Sequence, residues 1–387
     1  MGIDCRMLGP QCAGLGRYVE QLVKNLQKID LANQYILFLH RSNWEQVEAT
    51  NNFIKVEANI PWYSWQEQIK FKKIIEREQV DLMHFPHWNV PLFYNQPFVV
   101  TIHDLIMYHY PRQEASTHGL VVYWFKDLLH RFVLRHAVKK AKQIIVTSEF
   151  TKQDVHQTLG VALEKMVVIY QSPFQIANCK LQISNQIQNS NDQILKRFGI
   201  NKKYVLYVGN AYPHKNLEGL LKAWKVFIEK YGDDYQLVLV GKENYFYQKL
   251  LNNPTLPSPE LVPSFISGRG GNVVFTDFVS DEELVGLYKQ AKLYVFPSLY
   301  EGFGLPPLEA MTYGVPVASS NSSCLPEILG EAAIYFDPEN FEQMAEVIQT
   351  GLTNEDVRYD LSIKAPEELK RYSGEKLARE TLVVYRR

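Results

Sequence analysis

Short apolar runs alternate with stretches of helical period along most of the chain. In the first half the runs 35–39, 82–85, 98–102, 143–147 and 166–170 read as strands, and in the second half 204–208, 236–240, 273–275, 293–296 and 315–318 repeat the rhythm. Strand and helix in alternation predict a parallel sheet wrapped by helices. Because the rhythm runs twice, the expected architecture is α/β with two doubly wound, Rossmann-like domains. Ligands of such sheets lie beyond the carboxyl ends of the strands, so two of them facing each other make a cleft at those edges.

Composition places the seams. Residues 175–193 are rich in Gln, Asn and Ser with scattered Ile and Leu, a mixture that packs poorly. The domains are therefore expected at 1–194 and 195–366. The stretch 367–387 is expected to return to the first domain as a closing helix over 375–387, with Ala378, Leu382, Val383 and Tyr385 on one face. Residues 252–271, with four prolines followed by three glycines, read as an insertion loop.

A chain of 387 residues exceeds what one core organises, which agrees with two domains. Its 41 basic and 42 acidic side chains give a net charge of -1, so no global field draws it to nucleic acid, which is not an expected partner. Cys5, Cys12, Cys179 and Cys324 lie far apart without metal-ligand spacing and are expected as reduced thiols in a cytoplasm. No signal peptide is recognised and no apolar run approaches a membrane span. Met1 and Gly2 precede the apolar start so closely that the first strand looks clipped or late.

The densest chemistry lies in Glu301-Gly-Phe-Gly-Leu-Pro-Pro-Leu-Glu309, which follows a strand over 292–297 and enters a short helix. Pro306, Pro307 and Glu309 are expected in its first turn, where proline fits. Helix-start amides have no partner within the helix and sit at its positive end, so they suit an anion. Gly302 and Gly304 allow close approach of the backbone, and each carboxylate accepts bonds from paired hydroxyls. The bland alternative makes Glu309 a charge favourable to the helix dipole and Glu301 a solvated loop residue. Lys215, closing a segment that opens the helix 217–230, would be unfavourable beside a helix start unless an anion meets it.

The whole segment resembles the Glu-x7-Glu signature of the family-4 retaining glycosyltransferases. The likeness extends through Gly14-Leu15-Gly16-Arg17-Tyr18, Thr101-Ile102-His103-Asp104-Leu105, Thr147-Ser148-Glu149-Phe150, Tyr207-Val208-Gly209 with Lys215-Asn216, 278–284 and Leu325-Pro326-Glu327. It covers nearly the full length in the family's order. The resemblance implies the GT-B fold, with an acceptor-side first domain and a nucleotide-sugar-binding second domain. It implies that Lys215 holds the leaving diphosphate and that His103 lies beside the transferred sugar. Glu301 would then hold donor hydroxyls with the amides of Phe303, Gly304 and Leu305, and Glu309 the ribose. Phe278, Val279 and Leu284 would frame the base. Asn210 stands where the family often carries a second phosphate-binding arginine, a departure from its pattern.

Gly14 and Gly16 read as a glycine loop ahead of a helix 17–29, either phosphate-approaching or a plain tight turn. Arg17 and Asp104 are acceptor-side candidates, an ion pair on the helix surface being the alternative for Arg17. His103 ends an apolar run and is either functional or a satisfied core residue; His84 and His87 read as structural. The donor is expected to be a nucleotide sugar, with GDP-mannose suggested by a mannosyltransferase-like stretch 207–216. No cofactor or metal is required, since no DxD occurs.

The acceptor is expected to be a saccharide or lipid-linked saccharide of surface polysaccharide. Residues 108–142 mix aromatics with Lys and Arg, which suits a peripheral contact with an anionic membrane; an ordinary helix that buries its apolar stripe fits the same pattern. A second aromatic and basic patch is Trp62, Tyr63 and Trp65 with Lys70, Lys72 and Lys73. A nucleotide-sugar epimerase or hydrolase, or a non-catalytic sugar-nucleotide-binding protein, would share the fold. A glycosidase and a dehydrogenase are disfavoured, the latter because no GxGxxG opens either unit.

Overall fold

The computed structural model describes residues 1–111, 120–173, 193–251 and 272–387. The chain divides into two units, 1–174 with 372–387, and 175–371. The composition-based seam at 175–193 lies almost wholly outside the described residues, as do the insertion 252–271 and Cys179. The return to the first unit begins at Tyr372 rather than 367. The helix Glu355–Leu369 continues through residue 367 and stays with the second unit.

The first unit holds seven parallel strands: β1 Gly2–Asp4, β2 Tyr35–Leu39, β3 Phe53–Glu57, β4 Met83–Phe85, β5 Phe98–Ile102, β6 Gln143–Val146 and β7 Met166–Val168. Their spatial order is β3-β2-β1-β4-β5-β6-β7. The second unit holds β8 Lys203–Val208, β9 Tyr235–Val240, β10 Val273–Phe275, β11 Leu293–Phe296, β12 Val317–Ser320 and β13 Ala333–Phe336. Here the order is β10-β9-β8-β11-β12-β13, again all parallel. Sequence pattern did not find β3 and β13. β3 lies at a sheet edge and mixes Lys55 and Glu57 with its apolar residues, so its period is diluted.

Both faces of the first sheet are covered, which is why its strands read as continuous apolar runs. Phe38, Phe98, Val100 and Ile102 pack on one side with Phe71, Phe85 and Leu134. Leu37, Leu39 and Val99 face the other, against Tyr18, Leu22 and Leu26 of the helix Ala13–Ile29. The terminal helix Gly374–Tyr385 packs on that same helix through Leu377, Ala378, Leu382 and Val384. Val383, expected on the packing face, is 51% exposed; the helical turn gives Val384 that place instead.

Helix Leu120–Lys140 divides its apolar residues between core and solvent. Val133, Leu134, Ala137 and Val138 are buried, whereas Trp124, Phe125, Leu128 and Phe132 are each more than half exposed. The ordinary buried stripe therefore holds only for the last turns. Among the described residues no helix is long and apolar enough to cross a membrane.

Candidate active site

In the second sheet the chain runs outward through β8, β9 and β10, then returns to the middle and runs the other way through β11, β12 and β13. Loops leaving the neighbouring strands β8 and β11 therefore diverge to opposite faces. The crevice they leave is the place where doubly wound sheets bind ligands. Lys215 lies on the first of these loops and Glu301 on the second, and a bond from the Leu299 N–H to the His214 carbonyl, 2.7 Å, ties the loops together.

Pro213–Lys215 forms one 3-10 turn ahead of the helix Leu217–Tyr231. Asn216 breaks it with a left-handed φ of 55°, a conformation Asn tolerates, and its amide donates to the Pro338 carbonyl at 2.8 Å. The kink sets Lys215 before the helix rather than in its first turn. Its Nζ donates to Glu301 Oε1 at 2.6 Å and lies 5.4 Å from the centre of the Phe296 ring. With only 14% and 8% of the two side chains exposed, this is an almost dry ion pair. Asn210 is held back from it locally: its side-chain oxygen accepts the Tyr212 N–H and its carbonyl the Tyr207 hydroxyl.

The Glu301 N–H donates to Ser323 Oγ at 3.0 Å, and Ser323 itself is left-handed at φ 55°. Gly304 ends the loop at φ 99°, and a Cβ there would lie 2.9 Å from Leu325 Cδ2, so both conformation and space demand glycine. Leu305–Thr312 then begins with Pro306 and Pro307 in its first turn. Glu309 falls one turn later than expected, buried at 4% exposure with the Tyr288 hydroxyl 3.4 Å from Oε2. It is not a solvated first-turn charge. Val279 and Leu284, the latter on the buried face of the helix Asp281–Gln290, are buried, while Phe278 is exposed. Phe303 is buried and its carbonyl accepts from Cys324 Sγ.

The first unit gathers the remaining candidates. Gly14 and Gly16 do not form a loop: the helix starts at Ala13, so both lie in its first turn. A Cβ on Gly16 would meet the Gly9 carbonyl oxygen at 1.9 Å, which makes this glycine a backbone-packing position. Arg17, in the next turn, is half-buried. His103 and Asp104 leave the carboxyl end of β5. The His103 Nε2–H donates to the Pro86 carbonyl at 2.8 Å, its Nδ1 accepts from Gln171 at 3.1 Å, and Tyr18 meets the ring edge-on. Burial pulls its pKa down to about 4, so the ring is neutral at pH 7. Asp104 accepts the Ile106 N–H.

His84 and His87 are structural in the way expected. His84 is fully buried between Thr101 Oγ1 at 2.8 Å and the Tyr385 hydroxyl at 2.7 Å, which welds the terminal helix to β4. Sequence reading missed Ser323, Tyr288 and Gln171. Each acts by orienting a candidate across a fold-level contact, and none carries a local spacing signal.

Residues 190–368 match the family described as Glycosyl transferases group 1, and residues 13–171 match Glycosyltransferase Family 4. Between them the two matches span most of both units, and the chain is a glycosyltransferase. It is 29% identical over 312 residues to the O-antigen chain mannosyltransferase RfbU of Salmonella typhimurium, covering 77% of this chain and 75% of that one. It is 26% identical over 396 residues to the O-antigen chain mannosyltransferase B of Escherichia coli, covering 96% of each. Among solved structures it is similar to Anabaena HepE in complex with UDP and glucose, at TM-score 0.70 and 17% identity over 99% of this chain and 98% of that one. It is similar also to WaaG, a glycosyltransferase involved in lipopolysaccharide biosynthesis, at TM-score 0.65 and 16% identity over 98% of each. The fold of this glycosyltransferase is GT-B.

Proposed function

We propose that this glycosyltransferase is a retaining enzyme that moves a mannosyl residue from GDP-mannose to a saccharide or lipid-linked saccharide acceptor in surface-polysaccharide synthesis. The Lys215–Glu301 pair carries the reading: a largely enclosed cation and a buried carboxylate side by side at the switch point, 2.6 Å apart, beside the start of a helix. A sugar diphosphate supplies the partners for both. Its phosphate takes Lys215 and the helix-start amides, and its sugar hydroxyls donate to Glu301. The named relatives support mannose as the transferred sugar.

In this reading the diphosphate leaves against Lys215 while the acceptor hydroxyl attacks the same face of the sugar, and the departing phosphate takes the acceptor proton. Glu309, one helical turn beyond, takes the ribose, and Asn210 offers a polar contact beside Lys215. No metal is part of the scheme. Transfer takes place at the inner face of the membrane, to which the exposed Trp124, Phe125, Leu128 and Phe132, flanked by Lys126 and Arg135, bring the protein.

Nucleoside diphosphate release from a panel of nucleotide sugars, with and without saccharide acceptors and EDTA, tests the proposal. GDP-mannose should turn over with EDTA present, and Lys215→Ala and Glu309→Ala should abolish turnover. Release from no donor would overturn it. Co-sedimentation with vesicles containing anionic lipid should fall in the Trp124→Ser, Phe125→Ser double variant. Binding indifferent to anionic lipid would remove the membrane contact.

A further inference from the structure

The turn that leaves β8 at the switch point of the second sheet has its acceptors occupied from behind. The Val208 carbonyl accepts the Tyr294 hydroxyl at 3.3 Å, the Gly209 carbonyl that of Tyr247 at 2.9 Å and the Asn210 carbonyl that of Tyr207 at 2.8 Å. The three donors come from β11, from the helix Tyr245–Leu251 and from β8 itself, and none is more than 1% exposed. Burial pushes all three pKa values up, so each hydroxyl keeps its one proton and directs it at the turn. Two glycines make the room. A Cβ on Gly209 would lie 2.6 Å from the Tyr207 hydroxyl, and one on Gly241 would lie 1.9 Å from the Gly209 carbonyl oxygen and 2.6 Å from the Tyr247 hydroxyl.

What the turn keeps is donors. A trans peptide points its N–H opposite to its C=O, and no cis bond occurs among the described residues. With the Gly209 and Asn210 carbonyls drawn onto tyrosines of the core, the N–H groups of Asn210 and Ala211 point away from it, and among the described residues neither meets an acceptor. The Asn210 side-chain oxygen takes the Tyr212 N–H at 3.2 Å, which leaves its NH2 end to donate. Both residues are half-buried, and Lys215 follows on the same segment, at the end of the Pro213–Lys215 turn. Successive N–H groups whose carbonyls are held elsewhere form a concavity suited to an anion, and an ammonium on the same segment adds the charge.

We propose that Tyr207, Tyr247 and Tyr294 are positioning residues that hold the turn 208–211 as a second phosphate clamp, in which two backbone amides and the Asn210 NH2 stand in for an arginine. The proposal deepens the nucleotide-sugar reading above and rests on it: Lys215 meets one phosphate of the donor and the turn receives the other. Three hydroxyls from separate elements fix the direction of the amides, so the donors are aimed before any ligand arrives.

The test compares, in the full chain, the affinity for GDP with that for guanosine, and for UDP with that for uridine, by titration calorimetry and saturation-transfer NMR. Wild type should bind one of the diphosphates about tenfold or more tighter than its nucleoside. Tyr247→Phe should weaken that diphosphate by about tenfold while the nucleoside binds as before. Asn210→Asp keeps an acceptor for the Tyr212 N–H but puts a carboxylate oxygen where the NH2 was, and should weaken the diphosphate further with the melting temperature unchanged. Asn210→Arg in the Tyr247→Phe background should restore the affinity. Diphosphate affinity indifferent to both Tyr247→Phe and Asn210→Asp would overturn the clamp. Parallel losses for diphosphate and nucleoside would overturn it too, because tyrosines that only maintain the fold affect both alike. If wild type binds neither diphosphate better than its nucleoside, the transfer reading falls and takes the clamp with it. Full donor turnover at low donor concentration in both variants would sink the clamp alone.

Discussion

Neutralising Lys215 has two consequences that can be separated. Charges at the 2.6 Å Lys215–Glu301 separation attract by about 6 kcal/mol at an effective dielectric of about 20, before desolvation is subtracted. Removing one member of so enclosed a pair strands the other, at a cost of about 3–5 kcal/mol. For a unit of this size each kcal/mol moves Tm by roughly 2–4 °C, so Lys215→Ala should lower the melting of the second unit by about 10 °C. Lys215→Met with Glu301→Gln removes both charges and should recover most of that loss. Differential scanning calorimetry of Lys215→Met, Glu301→Gln and the double variant gives the coupling energy, expected at about 1–3 kcal/mol. Titrating GDP into each protein reads the second role. Wild type should gain Tm with GDP, and the stable double variant should not. If Lys215→Ala melts with wild type, the pair does not stabilise the fold. If the double variant keeps the full GDP-induced shift, Lys215 does not hold phosphate and the donor site is elsewhere.

Acid should destabilise the first unit through the fully buried His84 and the half-buried His87 and His103, all neutral at pH 7. Burial lowers His84 and His87 to about 3 and His103 to about 4, from 6.5. Below pH 6.5 the unfolded chain therefore binds protons the folded chain refuses, so stability is complete above pH 6.5 and falls as pH drops towards those values. For the fully buried His84 the loss reaches about 2 kcal/mol by pH 5, and chemical denaturation of wild type against His84→Gln between pH 5 and 8 should show the slope flatten. Tyr385→Phe leaves His84 Nδ1 without its 2.7 Å partner and should cost about 1–3 kcal/mol, read as earlier proteolysis of the terminal helix. Gly16→Ala forces a methyl onto the Gly9 carbonyl and should cost about 1–3 kcal/mol by urea titration; an unchanged midpoint would show that the contact relaxes freely.

Much of the fold was legible in the chain because strands covered on both faces must be apolar throughout, and that signal is local. β5, β10 and β11 match their apolar runs residue for residue, and the Glu301 to Glu309 segment advertised itself through glycine and proline placed at a turn and a helix start. Residues whose meaning depends on a neighbour distant in sequence stayed hidden. Gly16 read as part of a glycine loop, phosphate-approaching or a plain turn, because sequence cannot show the Gly9 carbonyl pressed against it. Val383 and Val384 differ only in which of them the helical turn aims at the first unit.

The sequence by itself determined two α/β units and the chemistry of the Glu301 to Glu309 turn, because periodicity and turn residues act within a few positions of themselves. Only the tertiary structure decided that Lys215 meets Glu301, 86 residues away, since strand order rather than spacing makes β8 and β11 neighbours. It also decided that Trp124 and Phe125 face solvent while Leu134 and Ala137 of the same helix are buried. A helix has more apolar surface here than one sheet face can cover, and where the surplus points is a property of the packing.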